Sequence, residues 1–243
     1  MSGVKKVLSI DMDYLMGPCI NLYNDCAGSE EFQHGDFWEN VDRIRGIDEH
    51  LSFDERKLVF LVELLAKQAK NLGKERFFFG EEHDMILEFL CGDKKKAGEV
   101  YDVYNVDHHH DIYYAPNQKE DVDRFDFACL ADWVYYLGKN NKINKYYWVK
   151  NPNSAEFPEQ EIKNLTFPFD EETYCNDYEA LLNIEFDYVF ICRSNNYFPK
   201  KYNYLFDLLR KLVNGFKNYE FVVWNTPYCV DGKTRHVAEL KGE

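Results

Sequence analysis

The chain has 243 residues, 45% hydrophobic and 17% aromatic, which is enough apolar material for a sizeable core and too much for wholesale disorder. Its net charge of -14, from 43 acidic against 29 basic residues, argues against a nucleic-acid partner, because phosphates need clustered Lys and Arg. No apolar run approaches the ~20 residues of a membrane span, and the opening MSGVKKVLSIDMD runs from two lysines straight into acidic residues without a signal-peptide pattern. A cytoplasmic protein of one domain over residues 1–243 is expected, with a loosely ordered polar tail over 226–243. The seven cysteines are scattered and form no CxxC pair, so neither a zinc ribbon nor a disulfide framework is indicated.

In chain order, residues 4–10 (VKKVLSI) read as a buried strand. A polar stretch with glycines and aromatics follows over 14–50. Ser52 and Glu55 form a capping-box pattern that starts a helix through LVFLVELLAKQAK, 58–70. ERFFF, 75–79, is a strand that breaks at Gly80, and DMILEFL, 84–90, a short helix. EVYDVYNV, 99–106, is a strand; FDFACLADWVYYL, 125–137, a helix; KYYWV, 145–149, a strand. Residues 151–176, with Pro152, Pro158 and Pro168, read as loop. FDYVFIC, 186–192, is a strand, YLFDLLRKLV, 204–213, a helix, and YEFVVW, 219–224, a last strand. Strand and helix in alternation predict an α/β fold with a mostly parallel sheet flanked by helices.

In such sheets ligands bind beyond the carboxyl ends of the strands. Three strand ends carry suitable residues: Asp11-Met12-Asp13, Gly80-Glu81-Glu82-His83-Asp84 and Asp107-His108-His109-His110-Asp111. If the last segment stays extended, Asp107, His109 and Asp111 share one side, and His108 and His110 face away. Asp11, Asp13, His83, Asp107, His109 and Asp111 then form a mixed carboxylate and imidazole set, which suits Mn²⁺, Fe²⁺ or Zn²⁺ better than Ca²⁺ or Cu⁺. Each residue alone has a plainer reading as a turn, a cap or a solvated charge. Jointly, so many charges without cations would repel strongly.

The constellation resembles that of the ureohydrolases, the arginase and agmatinase superfamily. GEEH, 80–83, is similar to the family's G-G-D-H strand end. DHHHDI matches its D-x-H-x-D element at Asp107, His109 and Asp111, and SIDMDYLMGP is similar to its D-x-D segment. The order departs: the D-x-D segment comes late in arginases and first here, which implies an arginase/deacetylase-like fold with rearranged strand order. No match to the family's downstream histidine shuttle or guanidinium-holding glutamate is present. The short acidic chain looks like the branch that includes peptide arginases, which convert arginine in precursor peptides to ornithine and urea. The resemblance implies two Mn²⁺ ions bridged by Asp107 and Asp11. His83 and Asp111 would complete one shell, and His109 and Asp13 the other. It also implies Asp111 as catalytic proton carrier. Glu82 and Asp132 are candidates to hold the guanidinium, with a supporting residue and a helix-surface carboxylate as the plainer readings. The implied partner is an arginine-containing precursor peptide or a small guanidino compound, which the chain's acidity would favour.

VLSIDMDYL also looks like the first motif of haloacid-dehalogenase-type phosphatases, with Asp11 as nucleophile, Asp13 as acid/base and Mg²⁺. That reading lacks the second acid after Gly92-Asp93 and leaves the histidine run unexplained. A non-catalytic metal-binding module is the third reading. Arg193-Ser194 sits at another strand end and reads as loop. His34, His50 and His236 read as solvated, and the 77–79 and 113–114 aromatics as core or pocket wall.

Overall fold

The apolar runs become strands buried on both faces, the pattern expected of a parallel sheet covered by helices. In the computed structural model, which describes residues 3–17, 52–129, 131–174, 177–195, 197–217, 228–230 and 233–235, they are β1 (Lys5–Asp11), β2 (Phe77–Gly80), β3 (Tyr101–Asp107), β4 (Ile143–Lys150), β5 (Phe169–Asp170) and β6 (Tyr188–Cys192). They form one six-stranded sheet in the order β2-β6-β1-β3-β4-β5, and every pairing is parallel. The fold class is therefore α/β, as the alternation predicts.

Alternate residues of each strand feed opposite faces. Leu8, Ile10, Phe79, Val106, Val189 and Ile191 join a core under α1 (Glu55–Asn71) and α6 (Asn203–Lys217). Val7, Phe78, Val103 and Phe190 join a second core with α2 (Met85–Cys91) and α4 (Trp133–Lys139). Among the described residues, helices α3 (Pro116–Phe125) and α5 (Glu159–Ile162) complete the set.

Register places the site. Asp11 and Gly80 both pair with Cys192, and Ile10 pairs with Val106, so Asp11, Gly80 and Asp107 end their strands side by side. Gly80 is required there, because a Cβ on it would come within 2.9 Å of the Phe190 ring.

Four expectations change. Helix α1 is capped by Asp54, whose carboxylate accepts the Arg56 and Lys57 N–H groups, rather than by Ser52. The helix expected over 125–137 begins only at Trp133. The Asp132 carboxylate takes the N–H and thiol of Cys129 and closes a turn, while an unforeseen helix α3 lies just before and ends at Asp126 with φ of 51°. The loop over 151–176 holds α5 and the two-residue β5. Finally, β3 stops at Asp107, so 107–111 is a bend rather than extended strand. The strand expected over 219–224 and most of the 14–50 stretch lie outside the described residues. Within the tail, Tyr228–Val230 and Lys233–Arg235 pair antiparallel. Among the described residues no helix is long and apolar enough to cross a membrane.

The capping assignment makes a prediction. Asp54→Ala should lower unfolding stability by about 0.5–2 kcal/mol, the usual loss of an N-cap, whereas Ser52→Ala should change it by less than about 0.5 kcal/mol. Urea denaturation of both variants measures this, and a larger loss for Ser52→Ala would contradict it.

Candidate metal centre

Each site residue is set by the end of a strand. Asp11, last in β1, accepts the Asp13 N–H on Oδ1 at 2.9 Å and so caps the turn Met12–Leu15. That turn brings Asp13 back over the sheet. Its far side is braced by Lys57 of α1 and Asn151, which donate to the Tyr14 carbonyl at 3.1 and 3.0 Å. Asp107, last in β3, accepts the His109 N–H at 2.8 Å on Oδ1 and the Asn105 amide at 3.0 Å on Oδ2. The first bond shapes the bend that carries His109 toward Asp13. Asp111 sits at φ of 48°, in the left-handed region that is costly for a side-chain residue. The Trp133 indole holds it there by donating to Oδ2 at 2.7 Å.

The result is two groups that share one residue. His83 Nδ1 lies 3.3 Å from Asp11 Oδ2, 3.2 Å from Asp107 Oδ2 and 2.9 Å from Asp111 Oδ2. His109 Nδ1 lies 2.8 Å from Asp13 Oδ2 and 3.9 Å from Asp107 Oδ1. Asp107 thus presents one oxygen to each group. Asp11-His83-Asp107 and Asp13-Asp107-His109 each bring a ligand atom per residue within 4.8 Å of one another. These buried Asp/His groups could hold a metal ion. His83 groups with Asp111, and His109 with Asp13. Only Asp107 spans both groups, whereas the resemblance implied that Asp11 would as well.

Whether a cation fits can be judged from His83. One imidazole nitrogen can hydrogen-bond a single acceptor, yet three carboxylate oxygens converge on Nδ1, and it has no partner of hydrogen-bond geometry. Asp13 Oδ2 is likewise buried without one. Atoms that converge without bonding one another are arranged around a common centre. The opposite nitrogen, Nε2, meets Ser9 Oγ at 2.7 Å; with the proton on Nε2, Nδ1 offers a lone pair, the usual arrangement of a metal-ligating histidine.

Electrostatics agree. Burial, then the charge of Asp13, raises the Asp11 carboxyl; burial, then Asp107, raises Asp13. Burial with the Asp111 and Asp11 charges pushes Asp107 up to about 7. Burial opposes charge on the two imidazoles, but the carboxylates outweigh it. Asp111, with Asp107 and Asp11, holds His83 well above its ordinary value, and Asp13 leads in raising His109 to about 9. Without cations, Asp11, Asp13, Asp107, His83 and His109 all hold their protons more tightly than usual.

The other candidates fall elsewhere. His108 is buried beside Ser154, whose hydroxyl donates to its carbonyl at 2.6 Å. His110 lies among Tyr114, Phe157 and Trp148. Burial pushes both rings down to about 3, so they are neutral. The alternation expected of an extended strand thus survives the bend. Glu82 is buried, and its charge, with that of Asp11, bears on the Cys192 thiol at the end of β6. Asp132 is buried with both carboxylate oxygens on Cys129, which is turn closure rather than a free clamp. Arg193 pairs with Glu81 at 2.8 Å and Asp207 at 3.3 Å over the Phe206 ring. His34, His50 and His236 lie outside the described residues. Ser9, Asn105 and Trp133 escaped the sequence reading. Ser9 and Asn105 lie two residues before a ligand on their strands, a spacing that shares a face and so was a usable signal. Trp133 had none.

Comparison of the chain with protein-family models, with curated proteins and with solved structures finds no match.

Two predictions come from this geometry. Divalent ions bind neutral imidazole and ionised carboxylate, so binding at about pH 7.5 should release protons, and affinity should rise with pH toward about 9, where His109 loses its own. In metal-free protein the His109 contribution to stability is complete below its unfolded value of 6.5 and lost as pH rises through about 9. Asp107 ionises in the unfolded chain at 3.8 but near 7 when folded, so it too removes stability with rising pH. Mn²⁺ calorimetry in buffers of different ionisation enthalpy should show proton release, and the metal-free Tm should fall as pH rises from about 6.5 to about 9, above the window in which His108 and His110, neutral in the fold and charged when unfolded, act in the opposite direction. Equal heats in all buffers with a rising Tm would contradict both points.

The histidines should also separate. His109→Ala should cost more metal affinity than the ~10–100-fold typical of an outer partner, with the fold retained. His110→Ala should spare affinity and cost about 2–4 kcal/mol of stability through its emptied aromatic box. Calorimetry and urea melts of both proteins would expose the reverse ranking.

Proposed function

We propose that the protein is a hydrolase that uses two divalent ions, Mn²⁺ first among them, to cleave the guanidino group of an arginine side chain to ornithine and urea, with the arginine carried in a peptide. The observation that carries the reading is Asp107, which presents one oxygen to each of two buried Asp/His groups at the carboxyl edge of the sheet. Ions held there supply Lewis acidity, which lowers the pKa of water and polarises the group under attack.

The chain's own residues account for the remaining demands. His83, Asp11 and Asp111 would hold one ion, and His109 and Asp13 the other, with Asp107 common to both. Ser9 fixes the His83 ring, and Asn105 fixes Asp107. The Trp133 N–H occupies Asp111 Oδ2, so Oδ1 is the oxygen to take a proton and deliver it to the departing amine. Water is restricted because five of the six side chains are 0–6% exposed.

The phosphatase reading gains no support. Its nearest lysine run, Lys94–Lys96, lies at the opposite edge of the sheet, where Lys96 covers the Phe89 ring and that of Tyr188, the first residue of β6. Lys57 donates to the Tyr14 carbonyl and lies over the Tyr14 ring.

Mn²⁺-loaded protein offered arginine, agmatine and arginine-containing peptides should release urea, with the peptide losing the mass that separates arginine from ornithine. Asp111→Asn should reduce urea release by at least about 100-fold, the low end for removing a positioned proton carrier, and weaken metal binding as well. Wild-type urea release and full metal occupancy in Asp111→Asn would refute the reading. Hydrolysis of phosphate esters untouched by the same change would favour a reaction centred on Asp11.

A further inference from the structure

Of the two histidines of the run that take no part in the metal groups, His110 is the one built into an aromatic box. The His110 ring lies flat on Tyr114, centroids 4.1 Å apart and planes at 19°. Phe157 and Trp148 box it edge-on at 4.7 and 5.6 Å. Its Nδ1 accepts the Ile112 N–H at 3.1 Å, and its own backbone N–H donates to the Tyr114 hydroxyl at 3.0 Å. The Tyr114 backbone N–H is held in turn by Gln118 Oε1, at 2.6 Å.

Tyr114 is therefore fixed at its ring, its hydroxyl and its backbone. A tyrosine restrained so thoroughly is usually core, but this one is 47% exposed. Its hydroxyl is turned inward, where it accepts the His110 backbone N–H, and its ring stands edge-on to His109. The ring thus runs from the buried site to the surface, one face covered by His110.

Its neighbour marks the mouth. Of the six candidate ligands, His109 has the most exposed side chain, 16% against 0–6% for the others. Rings flank it: Tyr114 at 6.0 Å and 85°, and Tyr197 at 4.9 Å and 57°. Tyr114 and Tyr197 are thus the rings that stand beside the most exposed of the candidate ligands.

We infer that Tyr114 and Tyr197 form an aromatic clamp at the mouth of the site that receives a planar, weakly hydrated cation, the guanidinium head of the substrate. The inference rests on the guanidino reading and supplies what that reading lacks, a way to recognise the group. A guanidinium stacks on aromatic faces with little loss of hydration, so a carboxylate clamp is not required. Asp132, the candidate for that duty, is engaged by Cys129. Four aspartates with two dications sum to zero charge, so the loaded centre gives a cation no net attraction and leaves discrimination to the rings. His110 acquires a purpose: neutral and boxed, it holds the Tyr114 face in place before substrate arrives, which lowers the ordering cost of binding.

The test uses agmatine, its analogue with a neutral ureido end, and an arginine tripeptide blocked at both termini. In Mn²⁺-loaded protein, Tyr114→Leu should raise KM for agmatine and for the tripeptide about 3–30-fold, the range of one cation–π contact, and more than it lowers kcat. Tyr114→Phe, which keeps the face, should recover most of the loss. Tyr197→Leu should act in the same direction, and unchanged Mn²⁺ affinity and Tm verify each fold. Calorimetry on the wild type should show agmatine preferred over the ureido analogue, with the preference lost in Tyr114→Leu. Urea released by Tyr114→Leu and Tyr197→Leu at wild-type KM would overturn the clamp and leave the reaction standing. No urea from any probe, with agmatine still preferred through Tyr114, would overturn the reaction and leave a cation site. Neither urea nor selective binding would overturn both.

Discussion

The organising constraint is the mutual repulsion of four aspartates, Asp11, Asp13, Asp107 and Asp111, all buried at one edge of the sheet. Two unit charges 4 Å apart repel by about 4 kcal/mol at an effective dielectric of 20, and each also loses hydration on burial. A chain does not gather such groups for stability, since apolar residues of similar volume would serve better. Something positive has to complete the cluster. In the metal-free molecule Asp11, Asp13, Asp107 and His109 hold protons more tightly than usual, which relieves part of the repulsion. Divalent ions would displace those protons, and the convergence of three oxygens on His83 Nδ1 is already the arrangement they need.

The sheet makes this concentration of charge geometrically possible. Parallel strands all end on one side, and the register sets Asp11, Gly80 and Asp107 abreast. Local devices then turn each side chain inward: the Asp11 cap on the following turn, the Asp107 bond to the His109 N–H, and the left-handed backbone of Asp111. Backbone strain at Asp111 is tolerable because the Trp133 indole and the Val134 N–H hold its two ends, one on the side chain and one on the carbonyl. The cores on either face supply the stiffness that keeps these angles fixed.

What could be read from the sequence tracks how local its cause is. Strands β1, β2, β3, β4 and β6 were legible because burial on both faces leaves continuous apolar runs such as VLSI and YVFIC. The clustering of Asp11, Asp13, His83, Asp107, His109 and Asp111 was legible because ligands in parallel sheets bind beyond the carboxyl ends of the strands, which drew attention to these short segments. Helix α3 was not, since PNQKEDVDRF buries only Val122 and offers no apolar stripe; its signals were Pro116 at the first position and the Gln118 reach-back to the Tyr114 and Ala115 N–H groups. The Asp54 cap was passed over because Ser52 with Glu55 also fits a capping pattern, and only the path of the chain chooses between them. Trp133 could not have been found at all. Its partner Asp111 is 22 positions away, and nothing local in LADWV distinguishes an indole that packs from one that also donates.

The histidine run itself shows why a motif can be read rightly for an imperfect reason. An extended segment predicts strict alternation, and β3 in fact ends at Asp107. The alternation persists because each residue is pulled to its side by a different partner: His109 by Asp13, Asp111 by Trp133 and His83, His108 by Ser154, His110 by the aromatic box. A bend tied by side chains can hold the same order as a strand tied by backbone, but its angles are free to differ. That freedom lets Asp107 face both groups and lets His109, alone of the ligands, reach the rim. A true strand would have carried Asp111 onward, about 3.3 Å per residue, away from His83. The departure from regular structure is thus what closes the cluster.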